Sequence, residues 1–236
     1  MDRNETVGSV VARRPSLSRI FEIHGIDYCC GGNRTLAEAA QGAGVALDTL
    51  LEQIGVAPQE SDDRDWTQAT VAELIAHILA AHHDWLKSEM PRISALAEKV
   101  ARVHGGLHPD LERVRDVYEL LRTDMEPHLM KEERVLFPAA LALEETGVPS
   151  LPCHGTGPFS LQGPMAQMEV EHEGVGGMLD ELRALTDLFA PPEEACNTWR
   201  ALYAALEELD SNTRAHVHLE NQVLHHRLRE LEAQAA

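Results

Sequence analysis

The chain has 236 residues, of which 44% are hydrophobic, 25% charged and 4% aromatic, a composition typical of a folded globular protein rather than a disordered chain. Its 20 Lys and Arg against 39 Asp and Glu give a formal net charge of −19, which disfavours nucleic acid and anionic membranes as partners, because phosphate-rich surfaces attract clustered cations. The 13 histidines far outnumber the three Tyr and the three Trp and direct attention to metal chemistry.

Four cysteines are too few to cross-link a chain of this length, and Cys29 and Cys30 are adjacent. A disulfide framework is therefore not expected, which favours a reducing compartment. The first residues show no basic stretch followed by an apolar one, and no window approaches the run of about 18 apolar residues that spans a bilayer. The sequence predicts a cytoplasmic protein without a membrane segment.

Short helical pieces are predicted in the N-terminal quarter of the chain. The first covers residues 15–24 and ends at Gly25, since glycine readily adopts the left-handed conformation that follows a helix. Thr35 and Glu38 form a capping-box pattern, in which each side chain can bond the other's backbone amide, so a second helix begins there. A third piece covers residues 47–54.

An acidic stretch at residues 60–65 follows these pieces and is typical of a solvated linker. We place a domain boundary there. The sequence thus predicts a small helical domain over residues 1–62, which contains a Cys-Cys-Gly-Gly segment, and a second domain over residues 66–236.

The second domain has the hydrophobic period of helices throughout, and no alternation long enough for a sheet. Apolar residues at steps of three and four predict four long helices that pack as a bundle, covering about 70–103, 109–143, 164–189 and 192–231. The loop over 144–163, which contains Cys153 and His154, is long for a bundle connection and is either a functional lid or disordered. The fold class is all-α.

Two His-x-x-x-Glu pairs lie on the apolar faces of the second and fourth long helices. His128 with Glu132, and His216 with Glu220, are four residues apart, so both side chains of a pair point to the same side of the helix. A buried carboxylate is costly unless it is paired or binds a metal. One such pair is common on helix surfaces, but two in register with the bundle core indicate a metal site.

Histidines on the other two helices complete this pattern. His172 lies on the apolar face of the third helix. On the first helix, His82 and His83 are both candidates, and helical periodicity places His82 nearer the centre of the apolar face. Each histidine alone is more often a hydrogen-bonded core residue than a ligand. Together they predict ligands from all four helices around one bundle core.

The metal follows from the ligand types. Four imidazoles and two carboxylates exceed the four ligands of a tetrahedral zinc ion and suit two metal ions bridged by carboxylates. No cysteine lies on these apolar faces, and mixed nitrogen and oxygen ligands with open positions fit redox-active iron. A di-iron centre is therefore the favoured interpretation, with zinc and manganese as the alternatives.

On these motifs, the chain resembles the repair-of-iron-centres (RIC) family of di-iron proteins, which join a cysteine-bearing N-terminal domain to a hemerythrin-like four-helix bundle. The resemblance covers nearly the whole chain. It rests on Asp-Tyr-Cys-Cys-Gly-Gly at 27–32, His-Leu-Met-Lys-Glu-Glu at 128–133 with Leu-Phe-Pro at 136–138, Glu-His-Glu at 171–173, and His-Val-His-Leu-Glu-Asn at 216–221.

The resemblance implies two iron ions bridged by carboxylates and by an oxo or hydroxo group. The ligands that it implies are His83, His128, Glu132, His172, His216 and Glu220. On the first long helix it selects His83, eight residues before Pro91, and leaves His82 with a supporting or structural role.

Two segments depart from the family pattern. Pro127 precedes His128, where its ring and missing N–H would kink or bulge the helix and either aim or disturb the ligand. Residues 223–226 read Val-Leu-His-His where the family tends to have Leu-Phe-Pro, so the end of the fourth helix is altered. The remaining histidines of the bundle and the N-terminal domain are expected to be mostly solvated or structural: His24, His77, His104, His108, His218, His225 and His226.

Cys29 and Cys30 are the candidate catalytic residues of the N-terminal domain. A disulfide between neighbours would be strained, and Gly31 and Gly32 leave the thiols open to close approach. Exposed, mobile thiols suit the transfer of a metal, sulfur or nitrosyl group. Residues before the 60–65 linker are expected to contribute nothing to the bundle core.

Three functions remain open. The resemblance implies a stress-response protein that repairs iron–sulfur clusters damaged by nitric oxide or oxidants, as an iron donor whose partners are the damaged iron–sulfur proteins. The alternatives are an enzyme that reduces nitric oxide at the di-iron centre, and a hemerythrin-like sensor or store that binds oxygen or nitric oxide. Cys29 and Cys30 favour chemistry over storage, and the sequence leaves a homodimer open.

Overall fold

The computed structural model describes residues 2–59, 63–150 and 160–235. Within these ranges the regular structure is helical, apart from one isolated antiparallel bridge between Thr6 and Thr35, so the predicted all-α class is confirmed. The same residues contain no helix with the length and apolar character that a membrane crossing requires. Cys153 and His154 of the predicted 144–163 loop lie outside the described residues.

Among the described residues, four short helices precede the bundle: α1 (Val7–Arg13), α2 (Ser18–Ile23), α3 (Leu36–Gly42) and α4 (Leu47–Val56). The sequence pattern does not predict α1. The piece expected over 15–24 is a 3₁₀ turn, Pro15–Leu17, followed by α2. Gly25 follows with a φ of 63°, the left-handed conformation expected there, whereas α4 continues to Val56, beyond the predicted end at residue 54.

Threonine caps fix where two of the helices begin. The Glu38 amide donates to Thr35 Oγ1 at 3.2 Å, and the Thr35 amide donates to the Glu38 carboxylate at 2.9 Å. The same capping box, formed by Thr70 and Glu73, begins the first long helix. Each box satisfies amides that have no partner inside the helix, and the predicted start of α3 is confirmed.

Four long helices form the bundle in the described part of the chain, and three of them contain a π-helical turn. The first consists of α5, a π turn and α6 (Val71–Ile78, Leu79–His83, Asp84–His104). The second consists of α7, a π turn and α8 (Asp110–Lys131, Glu132–Leu136, Phe137–Thr146). The third is α9 (Gln162–Leu185), and the fourth consists of α10, a π turn and α11 (Asn197–His218, Leu219–Leu224, His225–Ala235).

The predicted ends of two long helices are wrong. The third stops at Leu185 rather than at 189, because residues 187–189 have φ values between 49° and 62°, which a right-handed helix does not allow. The fourth begins at Asn197 rather than near 192. The other long helices agree with their predicted spans to within three residues.

A polar layer divides the apolar core of the bundle in two. One apolar cluster contains Tyr118 and Leu206, and the other contains Phe137 and Leu224. The first and third helices run from the second cluster to the first, and the other two run the opposite way. The four helices therefore alternate in direction, and each crosses the polar layer near its middle.

The N-terminal segment packs against the fourth long helix. Its own apolar core includes Val217 of α10. His218 Nδ1 donates to the Tyr28 carbonyl at 3.0 Å, and Gln222 Nε2 donates to the Cys29 carbonyl at 3.0 Å. Ala12 of α1 also belongs to the apolar cluster of the bundle that contains Phe137, so the expectation that residues before the linker contribute nothing to the bundle core is wrong.

Candidate metal centre

Six polar side chains from the four long helices fill the layer between the two apolar clusters of the bundle. Each is at most 1% exposed to solvent: His83, His128, Glu132, His172, His216 and Glu220. These are the six residues that the sequence analysis selects as ligands, and the structure brings all of them together.

The six side chains form two overlapping groups that share both glutamates. In each group the candidate ligand atoms lie within 4.8 Å of one another. To the shared carboxylates, one group adds His83 and His216, and the other adds His128 and His172. Each group thus offers two imidazole nitrogens and two carboxylate oxygens, and the arrangement fits two cations bridged by the carboxylates.

Imidazole nitrogens face one another across the layer. His83 Nε2 lies 3.2 Å from His216 Nε2, and His128 Nε2 lies 3.1 Å from His172 Nε2. Two neutral ring nitrogens cannot both be acceptors at this distance, so each pair needs a proton or a metal ion nearby. The four Nε2 atoms therefore approach one another in pairs, as the ligand atoms of a metal site do.

The two glutamates lack the hydrogen bonds that a buried carboxylate normally requires. None of their four oxygens has a hydrogen-bond partner of good geometry among the described residues, although His128 Nε2 lies 3.0 Å from Glu132 and His216 Nε2 lies 3.2 Å from Glu220. Burying a carboxylate costs several kcal/mol unless a partner compensates it. The layer is thus suited to iron or another first-row metal that takes mixed nitrogen and oxygen ligands.

The π turns coincide with the candidate ligands. His83 ends the first π turn, Glu132 begins the second, and Glu220 lies within the third. A π turn adds one residue to a helical turn and is frequent at functional sites, because it changes which side chains face inward from that point. Pro127 lies inside α7, and the irregularity expected at that residue occurs at Glu132 instead.

Partners behind the layer orient three of the histidines. The Nδ1 atom of each lies 2.8 to 2.9 Å from a side-chain oxygen of a further residue: His83 from Glu133, His128 from Glu171, and His172 from Asn221. Such contacts fix the ring and leave Nε2 for a metal. The sequence motifs contain all three partners but assign them no role. Their position directly beside a candidate ligand in the sequence is the signal that points to them.

The structure distinguishes His83 from His82. His83 Nε2 lies 3.4 Å from Glu132 inside the layer. His82 lies behind the layer, where its Nδ1 is 3.2 Å from Asn212 Oδ1 and its ring stacks on that of His216 with centroids 5.6 Å apart. Helical periodicity favours His82 because it assumes a uniform turn, whereas the π turn shifts the register and brings His83 inward.

His225 lies closer to the layer than the sequence analysis indicates. Its side chain is fully buried, its Nδ1 lies 3.2 Å from Glu169 Oε1, and its ring stacks on His172 with centroids 6.3 Å apart. Phe137 makes the corresponding contact with His83 at 5.4 Å. When Leu-Phe-Pro at 136–138 is aligned with residues 224–226, His225 takes the position of Phe137. This alignment is the sequence signal that points to its role.

Opposite charges in the layer shift the pKa of its members. Burial by itself would lower the pKa of His172, but Glu132 and Glu220 outweigh burial and raise that pKa to about 10. The pKa values of His83 and His128 are raised for the same reason. Burial would raise the pKa of Glu132, yet the neighbouring imidazoles hold it well below its usual range. The layer therefore favours ionised carboxylates compensated by positive charge.

Cys29 and Cys30 lie in a tight turn that Asp27 holds together. The Asp27 carboxylate accepts hydrogen bonds from the amides of Cys29, Cys30 and Gly31 at 2.9, 3.1 and 2.7 Å. Cys29 is 2% exposed and Cys30 is half-buried, so the expectation of two exposed thiols is wrong for Cys29. A hydrogen bond between the thiols raises the pKa of Cys29 and lowers that of Cys30, which makes Cys30 the more readily ionised thiol.

Cys30 lines a cavity of about 240 Å³ between the N-terminal segment and the bundle. Two carboxylates of α9, Glu169 and Glu173, line the same cavity, together with Asn221 of the fourth helix. Asn221 also contacts His172. One side chain thus contacts both the cavity and the metal layer, and Cys30 of the cysteine turn lines the same cavity.

Comparison with known families agrees with this geometry. The family model described as "Hemerythrin HHE cation binding domain" matches residues 74–228, which include all six side chains of the layer. The model for the N-terminal domain named ScdA_N, described as "Domain of Unknown function (DUF542)", matches residues 3–57, which include the cysteine turn.

The chain is also similar over nearly its whole length to curated proteins named "Iron-sulfur cluster repair protein YtfE". It is 35% identical to that of Dickeya chrysanthemi over 223 residues, which cover 94% of this chain and 95% of the relative. It is 34% identical to those of Yersinia pestis and Yersinia pseudotuberculosis over 230 residues, again with 94% and 95% covered.

Proposed function

This chain belongs to the family of iron–sulfur cluster repair proteins that carry a hemerythrin HHE domain, and from that premise we propose that it restores clusters damaged by nitrosative or oxidative stress, as an iron donor. It is a di-iron protein. The function rests on one observation above the others: a buried layer of imidazoles and carboxylates adjoins a cavity that reaches Cys30.

In this proposal, each iron has two histidine ligands and shares both carboxylates. His83 and His216 would hold one iron, His128 and His172 would hold the other, and Glu132 and Glu220, which belong to both groups, would be shared by the two. Bound iron supplies redox capacity and coordination positions that small ligands such as nitric oxide or oxygen can occupy. The protein side chains hold the pair of irons, exclude bulk water from it and fix the imidazole rings from behind.

The ligand types support release as well as binding. Fe²⁺ stands near the weak end of the divalent series for nitrogen and oxygen ligands, and no thiolate anchors it in the layer. Imidazoles paired with carboxylates can take up protons as metal leaves, since the pKa of His172 is raised to about 10. The layer thus suits a deliverable pair of irons rather than a permanent one.

Cys29 and Cys30 are the residues that we assign to the transfer step. Their turn is hydrogen-bonded to the helix that carries Glu220, and Cys30 lines the cavity beside the layer. Residues 1–62 would then act as the transfer unit and residues 66–236 as the iron-binding unit. Damaged iron–sulfur proteins are the proposed partners, and free thiols at Cys29 and Cys30 support a cytoplasmic location.

Transfer of iron to a cluster-free iron–sulfur enzyme tests this function. The full-length protein is loaded anaerobically with isotopically labelled iron and mixed with the acceptor enzyme, sulfide and a thiol reductant. We expect the label to appear in the acceptor as its activity returns, while an equal amount leaves this protein. The Cys196→Ser variant, which changes the exposed thiol at the N-cap of α10, is the matched control and should donate equally well.

Nitric oxide added to the reduced protein supplies the opposing test. Nitrous oxide formed over many turnovers, without transfer of labelled iron, would contradict the donor function and support a nitric oxide reductase. Tight retention of both irons, with neither transfer nor nitrous oxide, would contradict it in favour of a sensor or store.

A further inference from the structure

A second group of metal-ligand side chains lies outside the bundle layer, at the cysteine turn. The Asp27 carboxylate and the thiols of Cys29 and Cys30 place candidate ligand atoms within 4.8 Å of one another. The geometry points to a site at which these three side chains bind one divalent cation of borderline softness, of the class of Fe²⁺, Zn²⁺ and Co²⁺. The suggestion that this site receives iron from the bundle rests on the proposed function. The binding of a cation by these three side chains does not.

The distances between the three side chains match a tetrahedral site. Two thiolates bound to one tetrahedral ion at about 2.3 Å lie about 3.8 Å apart, and the sulfurs of Cys29 and Cys30 are 4.0 Å apart. A thiolate and a carboxylate oxygen on the same ion lie about 3.5 Å apart, and Cys29 Sγ is 3.1 Å from Asp27 Oδ1. Small side-chain rotations therefore convert the hydrogen-bonded turn into a metal site.

The backbone of the turn is held in place without the cation. Asp27 binds three consecutive amides, and Gln222 holds the Cys29 carbonyl. A side chain at Gly32 would be blocked, because its Cβ would lie 2.5 Å from the Tyr28 carbonyl oxygen. Ligands fixed in this way lose little freedom when a cation binds.

Cation binding exchanges protons for metal. Cys29 donates its S–H to Asp27 Oδ1, so loss of that proton creates a thiolate ligand and removes one of the three hydrogen bonds to that oxygen. The other two come from the amides of Cys29 and Cys30, and the cation takes the place of the thiol proton. The thiol protons pass to solvent, as they do whenever cysteine binds a metal. No electron moves, and the oxidation states of sulfur and metal are unchanged.

The surroundings admit a cation and an acceptor. Cys30 lines the cavity. The Glu169 carboxylate on its wall pairs with Arg229, which lines the same cavity, so Glu173 is the carboxylate there that we expect to attract a cation. Three protein ligands leave the fourth position of a tetrahedral ion open, as in exchangeable rather than structural sites. A thiolate of an acceptor protein can approach that position from the cavity. Such an open site suits transient binding of the cation better than permanent storage.

Cobalt binding tests the site directly. Co²⁺ is titrated into the full-length protein whose bundle is already filled with iron, and the charge-transfer absorption from thiolate to cobalt is followed in the near ultraviolet. We expect one equivalent of Co²⁺ to produce this band, while elemental analysis shows that the bundle keeps its iron. Cys30→Ser should abolish the band, and Asp27→Asn should weaken cobalt binding at least about tenfold, the scale found even for outer partners of metal ligands.

Two variants control for loss of the cobalt band through misfolding. Cys30→Ser leaves the Asp27 cap intact, because residue 30 donates to that carboxylate through its backbone amide, which serine keeps. Cys196→Ser should retain the full band. Absence of the band in the parent, its persistence in Cys30→Ser, or parent-like affinity in Asp27→Asn would overturn the proposal. A normal cobalt band together with failed iron transfer to the acceptor would instead refute the proposed function and leave the site standing.

Discussion

The two glutamates of the layer each touch a histidine of both groups. Glu132 lies 3.0 Å from His128 and 3.4 Å from His83. Glu220 lies 3.1 Å from His172 and 3.2 Å from His216. Loss of either carboxylate therefore affects both proposed irons, whereas loss of one histidine affects mainly one.

Replacement of either bridging residue should remove iron. We expect Glu132→Ala and Glu220→Ala each to bind at least one iron fewer than the parent, as counted by elemental analysis of the purified chain. Glu173→Ala, which changes an exposed glutamate on the neighbouring helix, is the control and should keep both irons. Retention of both irons in the two bridging variants would sink the ligand assignment.

The adjacent histidines of the first long helix should behave differently. His83→Ala removes a nitrogen inside the layer and should lose iron, because Glu132 then has one partner fewer. His82→Ala should keep its iron, since His82 bonds to Asn212 behind the layer. The reverse pattern in the same elemental analysis would show that uniform helical periodicity, and not the π turn, locates the ligand.

Iron affinity should increase with pH. Burial opposes protonation of His172, but Glu132 and Glu220 raise its pKa to about 10, so below that pH a proton occupies the site that iron needs. Each proton displaced by a metal changes the apparent affinity about tenfold per pH unit. Competition with a ferrous chelator between about pH 6 and pH 8 should show weaker binding at the lower pH. An affinity that is independent of pH, or greater at pH 6, would contradict this ionisation of the layer.

The spacing of single residues predicts much of the site. His128, Glu132, His216 and Glu220 follow from a four-residue step on an apolar face, which the helix geometry translates directly into proximity. The choice of His83 over His82 needed the family resemblance, because no sequence pattern marks a π turn. The sequence analysis does not predict the role of His225, because its burial depends on packing against another helix, and only the alignment of His225 with Phe137 of the other motif points to it.

At the scale of elements, the fourth long helix connects the two units of the molecule. Within one stretch it carries the candidate ligands His216 and Glu220 and the hydrogen-bond donors His218 and Gln222, which hold the cysteine turn. Successive residues of this helix thus face the metal layer and the N-terminal segment in alternation. The side chain of Gln222 also fills the space beside Gly32, whose Cβ would lie 2.7 Å from it.

Removal of this connection should expose the buried thiol. Gln222→Ala deletes the hydrogen bond to the Cys29 carbonyl, which is worth about 1 kcal/mol and corresponds to about a fivefold larger open population. We expect Cys29 to react about fivefold faster with a small alkylating reagent, as followed by mass spectrometry, while iron content is unchanged. His226→Ala alters an exposed side chain of the same cavity and serves as the control. An unchanged alkylation rate for Cys29 would contradict the conclusion that Gln222 holds the cysteine turn against the fourth helix.

The sequence predicts strongly periodic helices better than those held by packing. The capping box at Thr35 and the long apolar faces correspond to real helices. The segment of α1 is rich in valine, which has low helix propensity, and forms a helix because Val7, Val10 and Val11 are buried in the N-terminal core. The left-handed residues at 187–189 and the three π turns likewise have no local signature.

At the scale of the whole molecule, one part of the chain buries the metal layer and another part controls access to it. Two apolar clusters enclose the layer from both ends, and the N-terminal segment covers its side at the fourth helix. The cavity that Cys30 lines is also lined by Asn221, which contacts His172 of the layer. We therefore propose that the bundle binds the iron and that the cysteine turn delivers it.

Cluster repair by the Cys29→Ser/Cys30→Ser double variant tests this division most directly. Since neither cysteine belongs to the bundle layer, the variant should fold, bind two irons and keep the absorption bands of the di-iron centre. Recovery of activity in a damaged iron–sulfur enzyme, measured against the parent at equal iron content, should then slow at least about tenfold, a change of about 1.4 kcal/mol in the transfer barrier. Repair by the double variant at the rate of the parent would contradict the account.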